Sequence, residues 1–97
     1  MKQKVKEKRI MDITVVRIYR LPGNGPLKAF VDLSIDDVLL IKGIRIVQGQ
    51  KEPFVSMPQE QGKDKRWYDS IRCLDKEFKK QLDDEIMSAY TKEIADE

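Results

Sequence analysis

Hydrophobic and polar positions change period several times along this chain, and each change marks an element. Ile13-Thr-Val-Val-Arg-Ile-Tyr-Arg20 is dense in β-branched and aromatic residues, as a strand requires. Pro22-Gly-Asn-Gly-Pro26 can continue neither strand nor helix and predicts a loop. Leu27, Ala29, Val31, Leu33 and Ile35 then alternate with Lys28, Asp32 and Ser34. That period of two gives a strand with one wet face, which Phe30 interrupts. Asp36-Asp37 turns the chain, and Val38-Leu-Leu-Ile41 resumes as a strand apolar on both faces. Ile44-Arg-Ile-Val47 continues it past a bulge at Gly43. After Gln48-Gly49-Gln50, Pro53-Phe-Val-Ser-Met57 reads as a short strand that Pro53 and Pro58 confine to an edge or an end. Residues 59–66 are polar and read as a loop with Gly62 at its tip.

One helix closes the pattern. Asp75 is a good N-cap, because its carboxylate can accept from the free N–H groups of a first turn. Phe78, Leu82, Ile86, Tyr90 and Ile94 follow at steps of four, giving roughly five turns with one apolar side. The expected fold is α+β: an antiparallel meander of four to five strands with a C-terminal helix packed against it. One helix covers one face of such a sheet. Phe30 and the 38–41 run leave apolar side chains on the other. A chain of 97 residues has no second layer to supply, so a second copy is expected there, as a two-fold dimer joined through sheet surface or strand edges.

Size fixes the rest of the organisation. Ninety-seven residues, 40% hydrophobic and 37% charged, make one modest core. The expected division is a basic N-terminal extension over residues 1–10 and a single domain over 11–97. No stretch reaches the ~18–20 uncharged apolar residues of a bilayer helix, so no membrane contact is expected. The basic start has no apolar run behind it and does not read as a signal peptide. A lone Cys73 offers no internal disulfide, which fits the cytoplasm.

Histidine is absent, and with it Ser-His or Cys-His nucleophiles, imidazole metal sites and a switch near neutral pH. No metal, cofactor, small-molecule substrate or catalytic activity is expected. Three candidate sites give way to plainer readings. The Pro22–Pro26 loop lacks the Lys-Ser/Thr of a phosphate loop and starts no helix. Asp36 and Asp37 point apart on a turn, with no third acid beside them. Cys73 has no base or resolving thiol and reads as a packed side chain.

Charge is informative by position, the formal net being only +2. Five cations meet one acid in the first ten residues, seven meet four between Lys63 and Lys80, and six acids meet Lys92 alone from Asp83 onward. Lys65 and Arg66 adjoin Trp67 and Tyr68, flat rings that can stack on bases. Lys76, Lys79 and Lys80 lie three and four apart at the start of the helix, as a phosphate-neutralising cluster would. The same residues also suit the solvated surface of a small domain, with the two rings in its core.

The span from Met11 to Tyr90 resembles the stage V sporulation protein G family. The likeness rests on Ile13-Thr14, Val16-Arg17-Ile18, Ala29 and Asp36, and most specifically on Ile44-Arg45-Ile46-Val47-x-Gly49 followed by Phe54-Val55-Ser56-Met57-Pro58. Trp67, Asp69, Leu74, Asp75, Lys79, Leu82, Ile86 and Tyr90 extend it into the helix, with Trp67 in place of a Phe and Lys79 in place of an Arg. The resemblance implies a cytoplasmic α+β subunit that dimerises through its sheet and binds DNA and RNA. Members influence division, sporulation and gene expression. Its basic residues near the helix point here to Arg66, Arg72, Lys76, Lys79 and Lys80, Arg45 is carried over with its motif, and Lys65 joins the candidate nucleic-acid contacts from its place beside Trp67 and Tyr68. Arg72-Cys73 departs from the His-Pro the family often shows, adding a charge and losing a rigid turn. The extension before Met11 is also atypical. The alternative is a non-enzymatic module that docks division or regulatory proteins.

Overall fold

A computed structural model describes residues 11–96, so the basic extension over residues 1–10 lies outside the described residues. Four strands, β1 (Ile13–Arg20), β2 (Leu27–Ile35), β3 (Leu39–Gln48) and β4 (Pro53–Ser56), form one antiparallel sheet in the order β1-β2-β3-β4. A separate hairpin pairs β5 (Gln59–Gln61) with β6 (Trp67–Asp69), and α1 (Lys76–Ala95) packs on the sheet. The α+β meander with one C-terminal helix is as expected.

The core is the inward face of β2 and β3 under the middle of α1. Ala29, Val31, Leu33, Ile44, Ile46, Leu82 and Ile86 have no solvent exposure, and Ile41 and Tyr90 complete the cluster. Each of the larger aliphatic side chains contributes about 1.5–3 kcal/mol by leaving water.

Two bulges make this face continuous. Ile41 and Ile44 are an odd number of residues apart, so a regular strand would send them to opposite faces. Between Val31↔Ile44 and Leu33↔Ile41, β3 carries two residues, Lys42 and Gly43, against the single Asp32 of β2. Gly43 sits there at φ +82°, a conformation that costs other residues a clash with their own Cβ. The bulge expected at Gly43 is thus present, and it turns Ile41, and with it Leu39, to the helix side. Val16 does the same in β1, where Val15↔Leu33 is followed by Arg17↔Asp32, so that Val15 and Ile18 both pack on the core.

The β2–β3 turn is tight. Asp36 and Asp37 both have left-handed backbones (φ 55° and 56°), as the central pair of a type I′ turn does, inside a three-residue loop closed by the Ile35↔Leu39 pair. The Val38 N–H closes it on the Ile35 carbonyl at 2.9 Å. Asp36 Oδ1 accepts from the Asp12 N–H at 2.7 Å, which occupies the carboxylate in structure.

Three expectations need adjustment. Val38 belongs to the turn, and the run after it divides: Leu39 and Ile41 face the helix side, whereas Leu40 faces outward and is 53% exposed. Residues 59–66 are not all loop, because backbone pairing at Gln59↔Asp69, Glu60↔Tyr68 and Gln61↔Trp67 makes a hairpin without any apolar alternation. The helix stripe is buried at Leu82, Ile86 and Tyr90, but its last step, Ile94, is exposed.

Candidate nucleic-acid interface

The β5–β6 hairpin is held by side chains bonding to its own backbone and to each other. At its tip, the Gly62 N–H donates to the Arg66 carbonyl at 2.8 Å, and Lys65 takes a left-handed backbone (φ 69°). Asp64 fastens the turn, accepting from the Tyr68 hydroxyl at 2.6 Å and the Arg66 N–H at 3.0 Å. A Cβ on Gly62 would lie 2.9 Å from both Asp64 Oδ1 and the Tyr68 ring, so only glycine lets the ring close over the tip. The Tyr68 bond, then the Arg66 N–H, holds the Asp64 carboxyl below its ordinary range, and the same bond pushes the Tyr68 phenol up.

At the hairpin base, the Gln59 amide donates to Asp69 Oδ1 at 2.9 Å, and Arg72 Nε lies 3.4 Å from Asp69 Oδ2. Gln59 first, with Arg72 behind it, holds the Asp69 carboxyl below its ordinary range. The result is a braced, solvent-facing element. Trp67 and Tyr68 are 56% and 51% exposed on its opposite faces, beside exposed Lys63, Lys65 and Arg66. Neither ring is core, which removes the plainer reading of that pair.

The helix start stands next along the chain. Asp75 Oδ2 accepts from the Phe78 N–H at 2.9 Å, the N-cap the sequence indicates. Lys76 and Lys80 are exposed one turn apart and form no ion pair with a described residue. Lys79 differs. Its Nζ meets both Asp83 oxygens at 2.7 and 2.8 Å and its side chain is only one-third exposed, so its charge is answered inside the chain.

Arg72 and Lys80 line a common groove of about 1340 Å³, bounded by α1, residues 71–75 and the β2–β3 end of the sheet. Cys73 lies in it, and burial pushes its thiol above the ordinary range, consistent with a packed, neutral side chain. Arg45 is elsewhere. It stands on the outer sheet face opposite Phe30 and Ser56, half-buried, with a buried Nε that has no hydrogen-bond partner among the described residues. Lys65, Arg66, Arg72, Lys76 and Lys80 thus follow one another along a hairpin–linker–helix segment, and Arg45 lies outside that segment, on the outer sheet face.

Pattern reading overlooked a second cation on the outer face. Arg17 Nη1 donates to the Tyr19 hydroxyl at 2.6 Å, with its guanidinium carbon 5.5 Å from the ring centre. Two residues apart on a strand share a face, which is the signal that could have found the pair. Among the described residues no group of three potential metal ligands occurs, and no helix is long and apolar enough to cross a membrane.

A family profile, SpoVG, matches residues 11–92, from the start of β1 to the last turns of α1. The chain belongs to the SpoVG family. Its relatives include proteins whose names carry the words septation protein SpoVG. The one from Archaeoglobus fulgidus is 37% identical over 79 residues, covering 81% of this chain and 93% of the relative. The one from Borrelia hermsii is 35% identical over 86 residues, covering 86% of this chain and 90% of the relative. A third, from Symbiobacterium thermophilum, is 36% identical over 80 residues; the match spans 82% of this chain but only 57% of that longer protein. The SpoVG match takes in the braced hairpin, the capped helix and the bulged sheet together, and leaves out residues 1–10.

Proposed function

We propose that this SpoVG-family protein is a non-enzymatic regulator of septation, sporulation or gene expression that works in the cytoplasm as a homodimer and binds DNA or RNA mainly through phosphate. The observation that carries the reading is the braced β5–β6 hairpin. It sets exposed Trp67 and Tyr68 among Lys63, Lys65 and Arg66, in a segment that continues to Arg72, Lys76 and Lys80. Cations held on a stiff element next to open aromatic faces suit a single strand or a distorted duplex, where rings stack and cations follow the backbone. Lys79, answered by Asp83, adds little to that charge.

The test is a salt-dependent anisotropy titration on defined DNA and RNA. Four phosphate contacts, from Lys65, Arg66, Lys76 and Lys80, give a log–log slope of about −3.6 on duplex, or roughly a 100-fold loss of affinity from 50 to 200 mM salt. A flat response would reject the proposal.

One observation favours a second reading. Arg72 and Lys79 are each engaged by an acid, and Asp84 and Glu85 follow on the same helix, so the surface is mixed in sign. A mixed surface suits a protein partner. Pull-down from nuclease-treated extract separates the two readings, because a protein partner survives the treatment and a nucleic-acid bridge does not.

A further inference from the structure

The outer face of the sheet, turned away from α1, sets aromatic rings among cations. Tyr19, Phe30, Arg45 and Ser56 stand in one row across β1, β2, β3 and β4. Arg17 lies opposite Asp32 on one side of that row, and Phe54 lies opposite Val47 on the other. The rings belong to no core: Tyr19 is 46% exposed and Phe54 50%. Both are held in place. The Arg17 guanidinium bonds the Tyr19 hydroxyl and lies over its ring. Gly49 makes room for the Phe54 ring at the turn before β4, since a Cβ there would lie 3.3 Å from the ring's Cδ1. Arg45, between them, is unanswered. It forms no hydrogen bond or ion pair with a described residue, and its Nε is buried. Such a guanidinium lacks the acceptor that would offset its desolvation, and an anion on its solvent side supplies one.

We infer that this face binds a single nucleic-acid strand, with bases stacked on Tyr19 and Phe54 and a backbone phosphate on Arg45. This rests on the nucleic-acid reading and adds to it a second surface, across the sheet from α1. Three strand spacings of about 4.8 Å separate β1 from β4, so the two rings stand roughly 15 Å apart. An extended strand with unstacked bases reaches both; a duplex, whose bases face inward, offers neither ring a partner. Charge suits a polyanion. Arg17, Lys42 and Arg45 are the cations among the described strand residues of this face, and its one acid, Asp32, is only 9% exposed. A second copy is the competing occupant. A two-fold axis on this face would set Arg17 and Arg45 against their own counterparts, whereas a nucleic-acid strand answers them.

Photo-cross-linking of a short 4-thiouridine-substituted oligouridine to the wild-type protein, read by peptide mass spectrometry, tests this directly. Cross-links are expected in the peptides that hold Tyr19 and Phe54, and they persist when Lys76→Glu and Lys80→Glu are combined. In anisotropy titrations Phe54→Ala weakens oligouridine binding by about 5–150-fold, as the loss of one stacked base does, and leaves duplex binding unchanged. Arg45→Gln lowers the single-strand salt slope by about 0.7, one phosphate contact. The Phe54 ring lies outside the core cluster, so its variant keeps the melting temperature of the folded chain. Cross-links confined to the Trp67–Tyr68 peptide, or a Phe54→Ala protein that binds oligouridine as tightly as the wild type, overturn the second surface and leave the hairpin–helix reading standing. A wild type that binds neither strand nor duplex overturns both. If Phe54→Ala changes the sedimenting mass of the protein, a second copy covers this face and the assignment falls.

Discussion

Gly43 is where the register of the sheet can be tested with one methyl group. It holds φ +82° at the bulge, and a Cβ built on it meets nothing within 4 Å, so Gly43→Ala adds no collision and reports backbone strain alone. A left-handed backbone costs an alanine roughly 1–2 kcal/mol in the folded state. Replacing glycine also narrows the unfolded ensemble, which returns about 0.4–1 kcal/mol. The net expectation is a loss of about 1 kcal/mol, or roughly 4–8 °C in melting temperature for a domain of this size. Gly25 is the matched control: a Cβ there also meets nothing within 4 Å, and its φ lies outside the left-handed region. Gly25→Ala carries the unfolded-state term without the strain. The difference between the two variants therefore isolates the strain, about 1–2 kcal/mol. Thermal and urea melts of both variants measure it. If they differ by less than about 0.3 kcal/mol, Gly43 does not hold the bulge and is not what turns Leu39 and Ile41 to the helix side.

Removing the N-cap by Asp75→Ala is expected to cost about 1 kcal/mol and to speed hydrogen exchange at the first-turn amides, Phe78 above all, with the rest of α1 little changed. Lys76→Glu with Lys80→Glu is expected to weaken DNA and RNA binding and flatten the salt slope by about 2, whereas Lys79→Gln, whose charge Asp83 already answers, changes the slope by less than 1; equal effects would contradict the grouping. Asp64 and Asp69 titrate below their ordinary value in the folded hairpin, so their contribution is present above that value and lost as pH falls through the lower, folded one, below roughly pH 4. Carboxyl NMR titration checks this, and Tyr68→Phe is expected to move the Asp64 midpoint back up while leaving that of Asp69 in place.

What the sequence exposed and what it concealed follow from range. Periodicity of two in β2 and four in α1 is set by one element against one core, so Ala29, Val31, Leu33, Leu82, Ile86 and Tyr90 are legible as its lining. The Gly43 bulge is legible because glycine interrupts an apolar run. The Val16 bulge is not, although the three-residue step from Val15 to Ile18 breaks parity in the same way, because no glycine marks it. The β5–β6 hairpin escaped for a different reason. Its strands bury nothing, and it stands on bonds such as Gln59–Asp69 and Tyr68–Asp64, which leave no hydrophobic trace. The cations of the candidate site were legible as types and spacings. Their pairing was not: Lys79–Asp83 is a four-residue step on a helix, open to view, but Arg72–Asp69 depends on the hairpin being there.

That pairing changes how the charge of this segment is to be counted. Seven cations against four acids between Lys63 and Lys80 suggest a modest excess. Yet three of those acids are turned to internal work: Asp64 closes the hairpin tip, Asp69 braces its base and Asp75 caps the helix. Their charges remain and still act at a distance, but their oxygens are aimed at donors inside the chain. Lys63, Lys65, Arg66, Lys76 and Lys80 have no such anchor among the described residues and are exposed. A phosphate approaching this segment finds unanchored ammonium and guanidinium groups ahead of carboxylates whose oxygens already accept internal bonds. At ~3 Å that ordering outweighs a near-neutral sum, because the field of a partly screened charge falls steeply within one Debye length. An acid placed among those tips, as in Lys76→Glu, reverses the ordering locally. It is therefore expected to cost more affinity than the neutral Lys76→Gln at the same position.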